Sequence, residues 1–232
     1  MEFALLGWAE ADPTVRLDYR RFSYAGKFVT GGTGVAVIRG EPDESATDTA
    51  DDTNTDGSSN DTDGGSNETN TETGSLAALP DGVEETDFAD GVLAAITFSP
   101  DRTDPSTLKI RYLTVRDDLR GDGQQLGPQL VAFLISKAAT AGYDRIAIAV
   151  NNVFSYHALY KAGFTYTDRE TGLAELVLAR PIDEPAVASQ SGYQRGLNVF
   201  REREGLSAAE TEFLGDHSDA VPPRLLPALR QS

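Results

Sequence analysis

The residues best placed to do chemistry in this 232-residue chain form a glycine-rich run, Arg120-Gly121-Asp122-Gly123-Gln124-Gln125-Leu126-Gly127-Pro128. Glycine reaches backbone conformations that let successive N–H groups converge on one centre. A helix opening directly after such a run adds its unpaired first-turn amides and the positive end of its dipole. The natural guest is a pyrophosphate, although a plain strand-to-helix turn has the same composition. No Gly-Lys-Ser/Thr follows, and position 126 is Leu, so neither a phosphate loop nor a dinucleotide fingerprint is present.

Other chemistries are excluded or weakly supported. With no cysteine there is no thiol nucleophile, thiolate metal site or disulfide. The two histidines, His157 and His217, are far apart in sequence, which argues against a zinc centre, and no metal is expected. His157 falls on a short helix and is expected to be exposed. Asp117 and Asp118 read as solvated turn residues, so no general base stands out. Tyr156 and Tyr160, spaced i and i+4, read most simply as packing partners on one helix face.

The elements that must position these residues follow from periodicity. Phe3–Trp8 is a short apolar strand, and Lys27–Arg39 reads as strand, glycine turn and strand. Gly91–Ser99 and Leu108–Val115 are further strands. Pro128–Ala141 carries Leu130, Val131, Phe133, Leu134 and Ala138 at helical spacing, with Pro128 in the tolerated first turn and Gly142 as the stop. Arg145–Val150 is a buried-type strand, Val153–Ala162 a helix stopped by Gly163, and Leu173–Leu178 a last strand. Two helices, Tyr193–Glu204 and Ala208–Leu214, complete the chain. The second is opened by a Ser207-x-x-Glu210 capping box.

Strand, glycine turn, helix, strand and helix occur here in an order that resembles the GCN5-related N-acetyltransferase (GNAT) superfamily. Its acyl-coenzyme A motif often runs Arg-Gly-x-Gly-Ile-Gly-x-x-Leu-Leu. This chain has Arg120-Gly121-Asp122-Gly123 and then Leu126-Gly127-Pro128-Gln129-Leu130-Val131, with Gln124-Gln125 inserted between. A second motif, a helix opened by Asn and closed by Gly-Phe, matches Asn152, Ser155 and Gly163-Phe164. The resemblance covers about residues 90–180.

It implies an α/β (α+β) fold with a mixed, V-splayed central sheet flanked by helices. Residues 1–40 and 76–182 would form the acyltransferase domain, and 183–232 a C-terminal helical extension. It further implies acetyl-CoA as acyl donor and a primary amine, small molecule or peptide, as acceptor. The amine attacks the thioester directly, with no covalent enzyme intermediate, so proximity is the main catalytic term. The backbone at Leu113 and Val115 and the side chain of Asn152 would hold the pantetheine arm. Gly121, Gly123, Gly127 and Arg120 would hold the pyrophosphate. The family tyrosine, the acid for the departing thiolate, falls in this register on Leu159. Tyr160, one residue on, is the nearest candidate. A non-catalytic acyl-CoA-binding module of the same fold is the alternative, and a homodimer is compatible with either.

Charge sets the remaining limits. The chain holds 20 Lys and Arg against 37 Asp and Glu, a net charge of −17, which excludes a non-specific nucleic-acid binder. Residues 41–75 contain eleven of those acids, no base and no large apolar residue. That segment reads as a disordered insertion, either an acidic arm for a basic partner or merely solvated chain. Elsewhere 26 acids face 20 bases, and only four of the bases are Lys. Acid excess with scarce Lys is the composition of proteins from salt-accumulating cells. No run approaches the roughly 20 apolar residues of a membrane span, and the expected location is cytoplasmic.

Overall fold

The computed structural model of the protein describes residues 1–40, 79–80, 82–121 and 123–227. The expectation for residues 41–75 lies outside the described residues, as does Asp122 of the glycine run. The strands are β1 (Glu2–Gly7), β2 (Gly34–Arg39), β3 (Val92–Pro100), β4 (Thr107–Val115), β5 (Arg145–Val150), β6 (Thr165–Glu170) and β7 (Leu176–Pro181). The helices are α1 (Leu126–Thr140), α2 (Val153–Lys161), α3 (Gln190–Arg201) and α4 (Ala208–Asp216).

The strands form one sheet in the order β1-β2-β3-β4-β5-β7-β6. All neighbours are antiparallel except β4 and β5, where α1 carries the chain back to start a parallel partner. The sheet is therefore mixed and flanked by helices, as the resemblance implies. It is also splayed. β4 pairs with β5 only over Thr107–Ile110 against Arg145–Ile148, and beyond that β5 bonds to β7 alone.

The splay begins at a bulge. On β3, Thr97 faces Tyr112 while its neighbour Phe98 faces Ile110, so Arg111 is an extra residue on β4. Its effect is visible in the cores. Leu108 and Ile110 belong to the large core beneath the helices, and after the bulge Leu113 and Val115 do too, leaving Tyr112 on the opposite face.

Two cores result. The larger lies between the sheet and the helices and includes Leu130, Val131, Leu134 and Ala138 of α1, each fully buried. Each such Leu or Val contributes about 1.5–3 kcal/mol by burial. The smaller lies on the other face, where Val15, Leu17, Phe22 and Phe28 cover Val35, Val37 and Ala95.

Several boundaries differ from the sequence reading. Lys27 and Phe28 belong to a 3-10 turn over Ala25–Phe28, not to a strand, because Phe28 is needed in the smaller core and its carbonyl accepts from the Val15 N–H. α1 starts at Leu126, two residues early, which puts Gly127 inside its first turn. β6 has the polar sequence TYTDRE and only its first residues are shielded, so no apolar alternation announced it. β7 begins at Leu176 rather than Leu173. α3 begins at Gln190, where the Ser189 side chain caps Gly192 N–H at 3.0 Å. The Ser207–Glu210 capping box is present as read.

Candidate functional site

The splay lines up two surfaces. On one side runs the β4 backbone from Arg111 to Val115, bonded to β3 but past the reach of β5. On the other stand Ala149 and Val150 of β5, followed by Asn151 and Asn152. The glycine run sits at the mouth. Gly121 and Gly123 have φ of +80° and +84°, and a Cβ at either would meet nothing within 4 Å. Glycine is thus required by conformation, not by crowding, and the space around both backbones is open.

Gln125 precedes α1 in the left-handed region (φ 56°, ψ 37°) and places no side-chain cap on the helix. A non-glycine residue held there costs on the order of 1–2 kcal/mol. The Gln129 side chain, donating to Gln124 O at 2.6 Å, braces the turn. This is how the two-residue insertion is absorbed. Pro128 has no N–H, and the first intrahelical bond comes from Gln129 N–H to Gln125 O, so the amides before it face the loop rather than the helix. Gly127 packs its Cα against Leu113 and Val115, whose side chains would lie 3.7 and 3.6 Å from an added Cβ. Leu113, Val115 and Gly127 are therefore brought together, with Gly121 and Gly123 beyond them.

Arg120 is committed differently from the expectation. Its guanidinium pairs with Asp117 at 2.8 Å and donates from Nε to Val115 O at 3.1 Å. It caps the end of β4, and the Val115 carbonyl is already held. Asp118 likewise pairs with Arg116 at 2.8 Å. With Asp117 and Asp118 each paired to an arginine, the attraction of the described part of the loop for an anion rests on backbone amides. Asn152 is the N-cap of α2, its Oδ1 accepting from Ser155 N–H at 2.8 Å, and its Nδ2 donates to Asn151 Oδ1 at 3.3 Å.

Tyr160 stands apart from this group. It is 2% exposed, inside a cluster with Tyr156, Tyr166 and Tyr193. Its oxygen accepts from Tyr166 N–H at 3.1 Å and lies 3.1 Å from the Tyr156 hydroxyl. Burial raises its pKa, opposed by those two hydrogen bonds. The packing of Tyr156 on Tyr160, read from their spacing, is present, with ring centroids 4.9 Å apart.

His157 corrects the reading from sequence. It is half-buried rather than exposed, because α3 and α4 fold over α2: its Nδ1 is 2.7 Å from Tyr193 Oη. Burial first, then the charges of Lys161 and His217, push its pKa down to about 4. His217, distant in sequence, has its ring 5.3 Å from that of His157. No cluster of three or more potential metal ligands exists among the described residues.

Sequence reasoning missed Arg203, which follows α3. It donates to Asn151 O at 2.6 Å and to Ala174 O, fixing the end of β5 beside the splay. No local signal could have found it, since its partners are 52 and 29 residues away.

The architecture is a mixed sheet, splayed between β4 and β5 and flanked by helices. No protein-family model matches the chain, and no curated protein matches it. Solved structures do. The chain is similar to an N-acetyltransferase from Staphylococcus aureus Mu50, at 21% identity over 40% of this chain and 62% of that one, with a TM-score of 0.35. It is similar to a Bacillus subtilis acetyltransferase in complex with CoA, at 22% identity over 38% and 68%, TM-score 0.32. A third is the Paia N-acetyltransferase from Thermoplasma acidophilum in complex with coenzyme A, at 13% identity over 39% and 54%, TM-score 0.33. This chain thus spans under two thirds of the staphylococcal and Thermoplasma structures.

Proposed function

We propose that the chain is a GNAT-family N-acyltransferase that moves an acetyl group from acetyl-CoA to a primary amine. The observation that carries this reading is the splay. A strand edge released from its partner after Ile110 offers backbone groups short of the Val115 carbonyl, which Arg120 holds, and suits the amide-bearing pantetheine arm as an added strand. The open glycines and α1's first turn at its mouth suit a pyrophosphate. In the reaction the amine nitrogen forms a bond to the thioester carbonyl carbon and loses a proton. The C–S bond breaks, and the thiol leaves with a proton. The protein's part is to align the two reactants, and Tyr160 is the candidate proton donor.

The burial of Tyr160 and the engagement of Arg120 favour a second reading, a non-catalytic acyl-CoA-binding module. Calorimetric titration with CoA, followed by thiol release from acetyl-CoA over a panel of small amines and a lysine-bearing peptide, separates the two. Binding with turnover supports the enzyme, binding without turnover the module, and absence of binding sinks both. Gly123→Ala forces a side chain into φ +84° and should weaken CoA binding about tenfold without unfolding the protein.

A further inference from the structure

An open cavity of about 510 Å³ lies on the face of the sheet opposite α1, among Tyr19, Phe22, Ser23, Tyr24, Lys27 and Thr30. It adjoins the splay through one side chain. The Tyr112 ring, on the β4 segment freed from β5, is 6.0 Å from the Tyr24 ring and 5.7 Å from Lys27 Nζ. On either side of Tyr112 are two buried hydroxyls without a hydrogen-bond partner, Thr97 (0% exposed), its cross-strand neighbour, and Thr114 (3%), two residues along.

The charge of the cavity is unlike that of the chain. Lys27 is the one charged residue in its lining. Of the carboxylates nearby, Asp18 and Glu85 are matched by Arg20 and Asp87 by Arg16, while Asp12 accepts from the Gly32 N–H. Lys27 is exposed and forms no ion pair among the described residues, so its ammonium is available to a carboxylate. Tyr19 and Tyr24, 50% and 57% exposed, offer flat apolar walls beside it.

We propose that this cavity takes the acyl acceptor and that the acceptor is a primary amine bearing a carboxylate, with an apolar or aromatic body. The carboxylate sits at Lys27, the body lies against Tyr19 and Tyr24, and the amine crosses Tyr112 towards the splay. The proposal rests on the acyltransferase reading, and it opposes the cationic acceptor that the chain's overall charge would favour.

The test uses matched pairs differing only in the carboxylate, L-phenylalanine with phenethylamine and L-tyrosine with tyramine, in the thiol-release assay. The carboxylated member is expected to have a kcat/KM at least fivefold higher. Lys27→Met should abolish that preference, chiefly through KM, and Lys27→Arg should keep it. A preference for the carboxylate-free amine, which the tyrosine walls could hold as a cation, overturns the proposal, as does an unchanged ratio in Lys27→Met. A parallel titration of L-phenylalanine into CoA-loaded protein reads the site without turnover. Lys27-dependent binding with no thiol release keeps the cavity and removes the acyltransferase reading, whereas no binding to wild type removes the cavity. Lys27 is exposed, so unchanged thermal midpoints are expected for both variants.

Discussion

Tyr160 shows how much one proton decides. The single hydroxyl proton of Tyr156 faces two acceptors, Tyr193 O at 3.0 Å and Tyr160 Oη at 3.1 Å. When it goes to Tyr160, that oxygen accepts twice and its own proton is free for a leaving thiolate. When it goes to the carbonyl, the Tyr160 proton is drawn towards Tyr156 instead. The acid role proposed for Tyr160 is therefore coupled to a rotation of its neighbour. Tyr160→Phe is expected to lower kcat about 100-fold while CoA affinity, measured by titration, stays unchanged. Unchanged turnover would remove Tyr160 as the acid. Because burial raises its pKa, kcat should not fall between pH 8 and about pH 10 through loss of this proton. His157 makes a different prediction. Its pKa of about 4 in the folded protein lies below the ~6.5 of an unfolded chain. With the imidazole neutral, Nδ1 and Tyr193 Oη share one hydrogen bond whose direction is set by the tautomer. Between those values the unfolded chain binds a proton that the folded one refuses. This contribution to stability is complete above pH 6.5 and is lost progressively as pH falls towards 4. Thermal melts across that window should show a shallower slope for His157→Gln than for wild type. Parallel curves would exclude His157 as the source.

At the scale of elements, the contact of α3 with α2 is the tightest. A Cβ on Gly196 would overlap the ring and hydroxyl of Tyr156, a side chain that is 0% exposed and has nowhere to move. Gly196→Ala is expected to cost about 1–3 kcal/mol, read as a lower denaturation midpoint with an unchanged m-value. A stability equal to wild type would mean that α3 can back away from α2. Gly196 also shows what the sequence could and could not disclose. Its place in a helix was legible from neighbouring Tyr193, Leu197 and Phe200, which recur on one face. Its need to be glycine was not, because the crowding atom comes from 40 residues earlier. α1 was legible from its apolar spacing, but its first turn was hidden by Pro128, which reads as a starting residue and instead sits third. β6 was hidden because an edge strand packs little. The glycine loop declared its conformation in its composition, yet the capture of Arg120 by Asp117 needed the turn to form first.

At the scale of the molecule, the negative charge and the candidate site are separate matters. Eleven of the 37 acids fall within residues 41–75, and Asp117 and Asp118, just before the glycine loop, are paired with arginines. If the acid excess is an adaptation to salt, the unfolding midpoint should rise between about 0.1 M and about 2 M KCl, as screening shortens to ~3 Å near 1 M. Full cooperative stability at the lower concentration, followed by circular dichroism, would count against that habitat. The two cores lie on opposite sides of a single sheet, and β4 serves both. Along a strand, odd and even positions address opposite sides. Arg111, having no partner across on β3, exchanges the two: before it the even positions Leu108 and Ile110 face the helices, and after it the odd positions Leu113 and Val115 do. Deleting that one residue would restore parity and turn Leu113 and Val115 away from Gly127. Tyr112 would turn from the cavity in the same move. The face that sets Leu113 and Val115 against Gly127 and the placing of the Tyr112 ring beside Tyr24 and Lys27 thus depend on the same frameshift in three dimensions.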